Sequence, residues 1–250
     1  MNIEQIYCDY LDEINKNYDR DKGVFHASSA GSCYRKQMYS YFEFPQEELD
    51  NKSLKILRLG TIVHSDIEEA LTKYQDANPE KEIYIEEKVK IPELNVTGTF
   101  DYGEMTNGKE DKSTFNLYDL KTAAAYKWST LFGRKENRNI NSADNYKLQL
   151  GTYALAVKDR FDPDYLQMYL LFYNKNTSMM REKLVMNPWI DKALEYWVDL
   201  NTWLEDAGEK YFEEELVPEM TDGVPFSDWE CSYCSYNEIC PSQIANKKRK

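Results

Sequence analysis

The chain has 250 residues, enough for one large domain with a buried core, and its 42% hydrophobic and 14% aromatic content suits a globular protein. A net charge of −13 argues against a general nucleic-acid coat protein, although a local groove of cations or a metal can still hold phosphate on an acidic body. No apolar run is long enough to span a bilayer, and the start MNIEQIYCDYLDEI has no apolar signal core, so the expectation is no membrane contact and a cytoplasmic or otherwise intracellular location.

Residues 3–17 predict an amphipathic helix, with Ile3, Ile6, Tyr7, Tyr10, Leu11 and Ile14 near helical spacing. Ser28 and Ser29 are candidate caps for a second helix that carries Cys33 and runs to about Tyr41. A longer helix is expected from Ser53 to about Tyr74, with His64 inside it. The pattern then changes period. Ile83, Ile85, Val89 and Ile91 alternate over residues 82–91 and predict a strand; residues 95–102 follow as a second strand. The polar stretch 105–113, with Asn107-Gly108, reads as a turn before a third strand at 114–120. Residues 126–143 read as irregular and mobile, 145–160 as a helix, 165–173 as an apolar strand with 182–186 as its partner, and Pro188 as the start of a long helix to about Phe212. The rest is loop-rich, and the run Asn246-Lys-Lys-Arg-Lys250 reads as a solvated end. Residues 1–250 thus read as a single α/β domain: a helical part over 1–80, a sheet core with an embedded helix over 81–187, and a long helix with a cysteine-rich end over 188–250.

Four short motifs carry chemistry. In Y-D-L-K at residues 118–121, Asp119 and Lys121 are two apart on a strand and project to one face. A carboxylate beside an ammonium can share one water, which a metal acidifies and the lysine orients. Asp101, closing G-T-F-D at 98–101, can add a second carboxylate from the neighbouring strand, and a glycine inside a strand permits close backbone approach. Carboxylates with a main-chain carbonyl suit Mg²⁺ or Mn²⁺, and His64 tilts the set modestly towards Mn²⁺. Glu68, one turn on, is placed to accept the other ring N–H of His64. Gln149 and Tyr153, at i and i+4, share a helix face from which an amide and a phenol could reach a phosphate or a base; Tyr153 also lies in an apolar stripe that could be core. An ordinary strand-end ion pair also reads D-x-K, so the weight lies on the combination.

Four cysteines are split between the ends: Cys33, then Cys231, Cys234 and Cys240 as C-x2-C-x5-C followed by Pro241. In a reducing compartment this suggests metal before disulfide, as either zinc or an iron–sulfur cluster. Cys8 reads as a free thiol on the first helix.

In order, His64, G-x-x-D, D-x-K and Q-x-x-x-Y resemble the PD-(D/E)XK nuclease superfamily in its RecB-like branch, and the cysteines resemble those of the CRISPR-associated and AddB-type iron–sulfur exonucleases. The resemblance spans about residues 28–241 and contains no helicase motif; Asp119 stands where many relatives have Glu. It implies a restriction-endonuclease-like core, a central mixed sheet flanked by helices, with its ends tied by a 4Fe-4S cluster on Cys33, Cys231, Cys234 and Cys240. It further implies a metal held by His64, Asp101, Asp119 and the Leu120 carbonyl, catalysis by Asp101, Asp119 and Lys121, and DNA contacts from Gln149 and Tyr153. The activity implied is metal-dependent exonucleolytic cleavage of DNA, preferably at single-stranded ends and 5′-to-3′, with protein partners in recombination, repair or CRISPR adaptation. Two other readings are a DNA-binding or assembly subunit with a vestigial centre, which intact Asp101, Asp119 and Lys121 disfavour, and a redox-sensing iron–sulfur protein.

Overall fold

In the computed structural model, which describes residues 1–16, 21–108, 112–139, 141–207 and 230–240, six strands form one mixed sheet with helices on its faces. The chain runs α1 (Ile3–Lys16), β1 (Phe25–His26), α2 (Tyr34–Tyr41), α3 (Asn51–Ala77), β2 (Glu82–Ile91), β3 (Val96–Asn107), β4 (Ser113–Ala123), α4 (Ala125–Phe132), α5 (Asp144–Phe161), β5 (Tyr165–Asn174), β6 (Met180–Val185) and α6 (Pro188–Ala207). The order across the sheet is β1-β3-β4-β5-β6, with β2 paired to β3. β4 and β5 run parallel, joined by a crossover through α4 and α5; β3–β4, β2–β3 and β5–β6 are antiparallel. No described helix is long and apolar enough to cross a membrane.

Several elements depart from the sequence reading. Cys33, not Ser28 or Ser29, is the residue that starts α2. Ser29 turns back instead: its hydroxyl lies 2.6 Å from the His26 carbonyl and 2.8 Å from Gln37 Oε1. The Asp50 carboxylate caps α3 by accepting the Ser53 N–H at 2.7 Å, so this helix begins earlier and ends later than expected. Residues 126–143 are not irregular throughout: α4 occupies 125–132, held by Trp128 and Phe132 packing 4.8 Å apart and by Phe132 against Phe172 at 5.5 Å. β3 runs on through Asn107 into the expected turn. The expected continuation of α6 to Phe212, Pro241 and the basic run 246–250 lie outside the described residues.

α5 lies across one face of the sheet, its inner side buried from Leu148 to Val157, and α6 packs on its back. Gly151 makes that approach possible: a Cβ there would fall 2.3 Å from the Trp189 carbonyl oxygen. Trp197 of α6, fully buried, donates its indole N–H to Thr152 Oγ1 at 2.8 Å. α3 covers the opposite face beside β2 and β4, with α1 alongside it.

Candidate active site

The site forms where the sheet's hydrogen bonding is interrupted. One edge of β3 pairs with β1 at Val96–Thr97 and with β4 from Tyr102 onward, so residues 98–101 have no strand partner on that edge among the described residues. On the other edge, the β2–β3 ladder passes over Glu86 and Asp101. Side-chain alternation breaks here as well. Phe100 packs edge-on against Phe115, and a Cβ on Gly103 would also meet Phe115, although three positions separate them. Asp101 uses the gap: its Oδ2 accepts the Leu120 N–H at 2.5 Å, a bond the absent ladder would otherwise have made.

Around this point the chain gathers Asp101, Asp119, Lys121, His64 and the Leu120 main chain. Asp119 is 1% exposed. Its Oδ1 accepts a hydrogen bond from Lys121 Nζ at 2.8 Å; Oδ2 is 2.7 Å from the same ammonium, in ion-pair contact but without hydrogen-bond geometry. Burial pushes the Asp119 carboxyl up to about 6, with Lys121 opposing and Asp101 reinforcing the rise. Burial works against the charge on Lys121, but Asp119 and Asp101 more than offset it and hold the ammonium above its ordinary value. His64 reaches in from α3, with Nδ1 3.6 Å from Asp101 Oδ1. Burial lowers its basicity, yet the hydrogen bond and charge of Asp101 leave it raised overall. The expected pairing of His64 with Glu68 is not what forms: the imidazole turns to Asp101, while Glu68 acts as a neighbouring negative charge on Glu86.

The sequence pattern does not point to Glu86. It sits at φ +50° in β2, a left-handed conformation uncommon for a non-glycine residue. The ligand atoms of His64, Glu86 and Asp101 lie within 4.8 Å of one another. Although solvent reaches Glu86, its carboxyl is pushed up to about 7, first by desolvation and then by the charges of Asp101 and Glu68. In the alternating pattern of β2, Glu86 belongs to the solvent-facing set. A signal could have been found in register alone, since continuing the β2–β3 pairing puts Glu86 opposite Asp101.

Gln149 and Tyr153 share a helix face as expected and bind each other, the Gln149 amide donating to the Tyr153 hydroxyl at 3.0 Å. Tyr153 is 2% exposed and belongs to the core. Its ring lies under Gly98, where a Cβ would come within 2.9 Å of Cε1. The face expected to stack on a base is therefore covered, and Tyr153 positions Gln149 and the 98–101 segment instead.

Three carboxylates and an imidazole, with the carboxyls of Asp119 and Glu86 raised by burial and by one another's neighbours, form a concentration of negative charge and hard donors that fits a hard divalent ion.

Residues 230–240 dock on α2 and the segment after it. Glu230 accepts the Cys33 N–H at 3.3 Å and pairs with Lys36 at 3.8 Å, the Tyr236 ring packs at a tilt against Tyr39, and Glu47 N–H donates to the Ser235 carbonyl at 2.8 Å. Cys33 and Cys234 thereby come within electrostatic reach of each other, as do Cys234 and Cys240. Burial, with Glu230 and Cys234 adding to it, pushes the Cys33 thiol up to about 12. Cys231 lies in the short turn Glu230–Tyr233. Among the described residues no three of these sulfurs lie within 4.8 Å of one another. A single tetrahedral zinc would draw them to about 3.8 Å, given its bond length to sulfur.

Comparison with known proteins places a family model, the PD-(D/E)XK nuclease superfamily, on residues 43–241. No curated protein matches the chain. Among solved structures it is similar to the protein SSO0001, at 15% identity over 96% of each chain and a TM-score of 0.46. It is also similar to a candidate exonuclease from Eubacterium rectale, at 17% identity, 85% and 89% coverage and a TM-score of 0.48. An alkaline exonuclease, LHK-Exo, from Laribacter hongkongensis matches at 12% identity, 73% and 88% coverage and a TM-score of 0.44.

Proposed function

The chain belongs to the PD-(D/E)XK nuclease superfamily, and from that premise we propose that it is a metal-dependent DNA exonuclease of the RecB-like branch, acting on single-stranded ends. The observation that carries this reading is the convergence of Asp101, Asp119, Lys121, His64 and Glu86 at the gap in the β3 ladder. His64, Glu86, Asp101, Asp119 and the Leu120 carbonyl are the residues that would hold the ion. Bound there, Mg²⁺ or Mn²⁺ supplies Lewis-acid polarisation of the phosphoryl group and neutralises its charge. Lys121 stays protonated near neutrality, because the carboxylates raise its affinity for the proton, so it orients the attacking water and faces the developing negative charge rather than abstracting a proton. Asp119 holds that ammonium in place by a hydrogen bond and an ion pair. Asp101 fixes the Leu120 amide and orients His64.

The same reading assigns Cys33, Cys231, Cys234 and Cys240 to a 4Fe-4S cluster that staples residues 230–240 to α2. The docking of that segment through Glu230 and Tyr236 supports it. A 5′-to-3′ direction, and partners in recombination, repair or CRISPR adaptation, follow from the resemblance alone. The test is incubation with end-labelled single-stranded and duplex DNA in Mn²⁺, Mg²⁺ or EDTA. Metal-dependent shortening from ends, faster on single strands, is expected. No cleavage of any linear DNA with either ion would sink the reading.

A further inference from the structure

Beside the site, on the face of the sheet covered by α5, lies a cavity of about 510 Å³ between α4, α5, β6 and the start of α6. Arg138, Lys147 and Lys183 line it, with Trp189 and Phe132, and no carboxylate belongs to its lining among the described residues. The cations are held close together against their mutual repulsion. Burial, then the Lys147 charge and that of Arg138, lower the affinity of Lys183 for its proton; burial and Lys183 do the same to Lys127, with Asp144 partly opposing the fall in both. The Trp189 ring carries two ammonium groups, Lys147 at 4.7 Å and Lys192 at 4.4 Å from its centroid. Asp144 neutralises one member, bonding Lys147 at 2.6 Å. On a chain of net charge −13, such a local excess of positive charge marks a place for an anion.

Its position relates it to the catalytic residues. Asp119 pairs in register with Leu170, and Leu170 with Lys183, so the three form one row across the sheet. Registered residues project to the same face, and two strand spacings put Lys183 about 10 Å from Asp119. Beside this row lies Tyr146, whose ring has Lys121 at 5.4 Å and Lys127 at 5.0 Å, and Lys127 is in turn within electrostatic reach of Lys183.

We propose that this cavity binds a backbone phosphate of the nucleic-acid strand, flanking the phosphate to be cut, with Arg138 and Lys183 as its principal contacts. The proposal rests on the nuclease reading and adds to it a track for the strand, leading from Lys121 past Tyr146 to Lys183.

The test compares binding of a 3′-dye-labelled single-stranded oligonucleotide, by fluorescence anisotropy in EDTA, to the wild type and to Arg138→Gln/Lys183→Gln. Lys112→Gln/Lys158→Gln removes equal charge at exposed positions elsewhere and serves as the control. The cavity pair should flatten the log K against log salt slope by about 0.7 to 1.4, a loss of roughly 5- to 25-fold at 0.1 M salt, while the control stays near wild type. Lys183→Arg should retain binding, which separates lost charge from lost fold. A deoxynucleoside monophosphate titrated by calorimetry distinguishes a strand from a free nucleotide. Weak binding that disappears in the cavity pair supports the proposal; tight nucleotide binding with oligonucleotide affinity unaffected by the cavity pair overturns it. A cavity pair that binds the oligonucleotide no worse than the control also overturns it. Cleavage of the same oligonucleotide by wild type in Mn²⁺ is read separately, so that an inactive wild type refutes the nuclease reading while the metal-free binding comparison still decides the cavity.

Discussion

Asp101 has two separable duties, and replacing it by Asn or by Ala takes them apart. Its Oδ2 accepts the Leu120 N–H inside the sheet at 2.5 Å, and its charge serves His64 and the ion. Asp101→Asn retains an oxygen that can accept the Leu120 N–H while removing the charge. Asp101→Ala leaves a buried N–H unsatisfied, at a cost of about 1–3 kcal/mol. Both variants lose the charged contact to His64, so that loss cancels between them. For a chain of this size the difference corresponds to roughly 2–6 °C in melting temperature. Thermal unfolding in EDTA should therefore rank Asn above Ala, and both variants should fail to cleave end-labelled DNA in Mn²⁺. If Ala proves as stable as Asn, the Leu120 bond does not hold the gap; if Asn cleaves at the wild-type rate, the Asp101 charge is not part of the chemistry.

Lys121→Ala should lower kcat by two orders of magnitude or more, roughly the worth of one well-placed electrostatic donor, with little change in KM; a pure rise in KM would reassign Lys121 to binding. Anaerobically purified protein should be brown, with absorbance near ~400 nm from thiolate-to-iron charge transfer, and Cys234→Ala should bleach it and lower its melting temperature; colourless protein with stoichiometric zinc would replace the cluster by zinc. Gly151→Ala should cost about 1–3 kcal/mol by driving α6 off α5, since its Cβ would meet the Trp189 carbonyl at 2.3 Å, and urea unfolding checks it.

The sequence made legible what obeys a local rule. β2 matches its expected bounds because Ile83, Ile85, Val89 and Ile91 keep a period of two, and α5 and β5 come within a residue of theirs. Asp119 and Lys121 share a face for the same reason. What escaped depends on contacts distant in sequence. α4 is eight residues long, too short to declare itself by periodicity, and takes its stability from Phe172 across the sheet. β1 is two residues whose strand character consists of pairing with Val96 and Thr97. By spacing Tyr153 suits both core and substrate contact, and its burial beneath Gly98 places it in the core. Glu86 enters the site through a positive φ, which composition and spacing do not encode.

These misses share a cause with the site itself. A regular ladder along the β4-facing edge of β3 would have paired residues 98–101 there as well as with β2 and left no room for catalytic side chains. Here β1 and β4 share the β3 edge and leave that stretch open. The backbone groups released by the gap still need partners in a buried setting. Asp101 supplies one for Leu120, and in doing so stands its carboxylate beside Asp119, His64 and Glu86. Burial, reinforced by the neighbouring negative charges, then raises the Asp119 and Glu86 carboxyls, and Lys121 is the one cation bonded directly to Asp119 among the described residues. The polar demand of a broken sheet and the charge demand of a metal centre are thus met by the same carboxylate, which is why Asp101 should be the position least tolerant of any replacement that cannot accept a hydrogen bond.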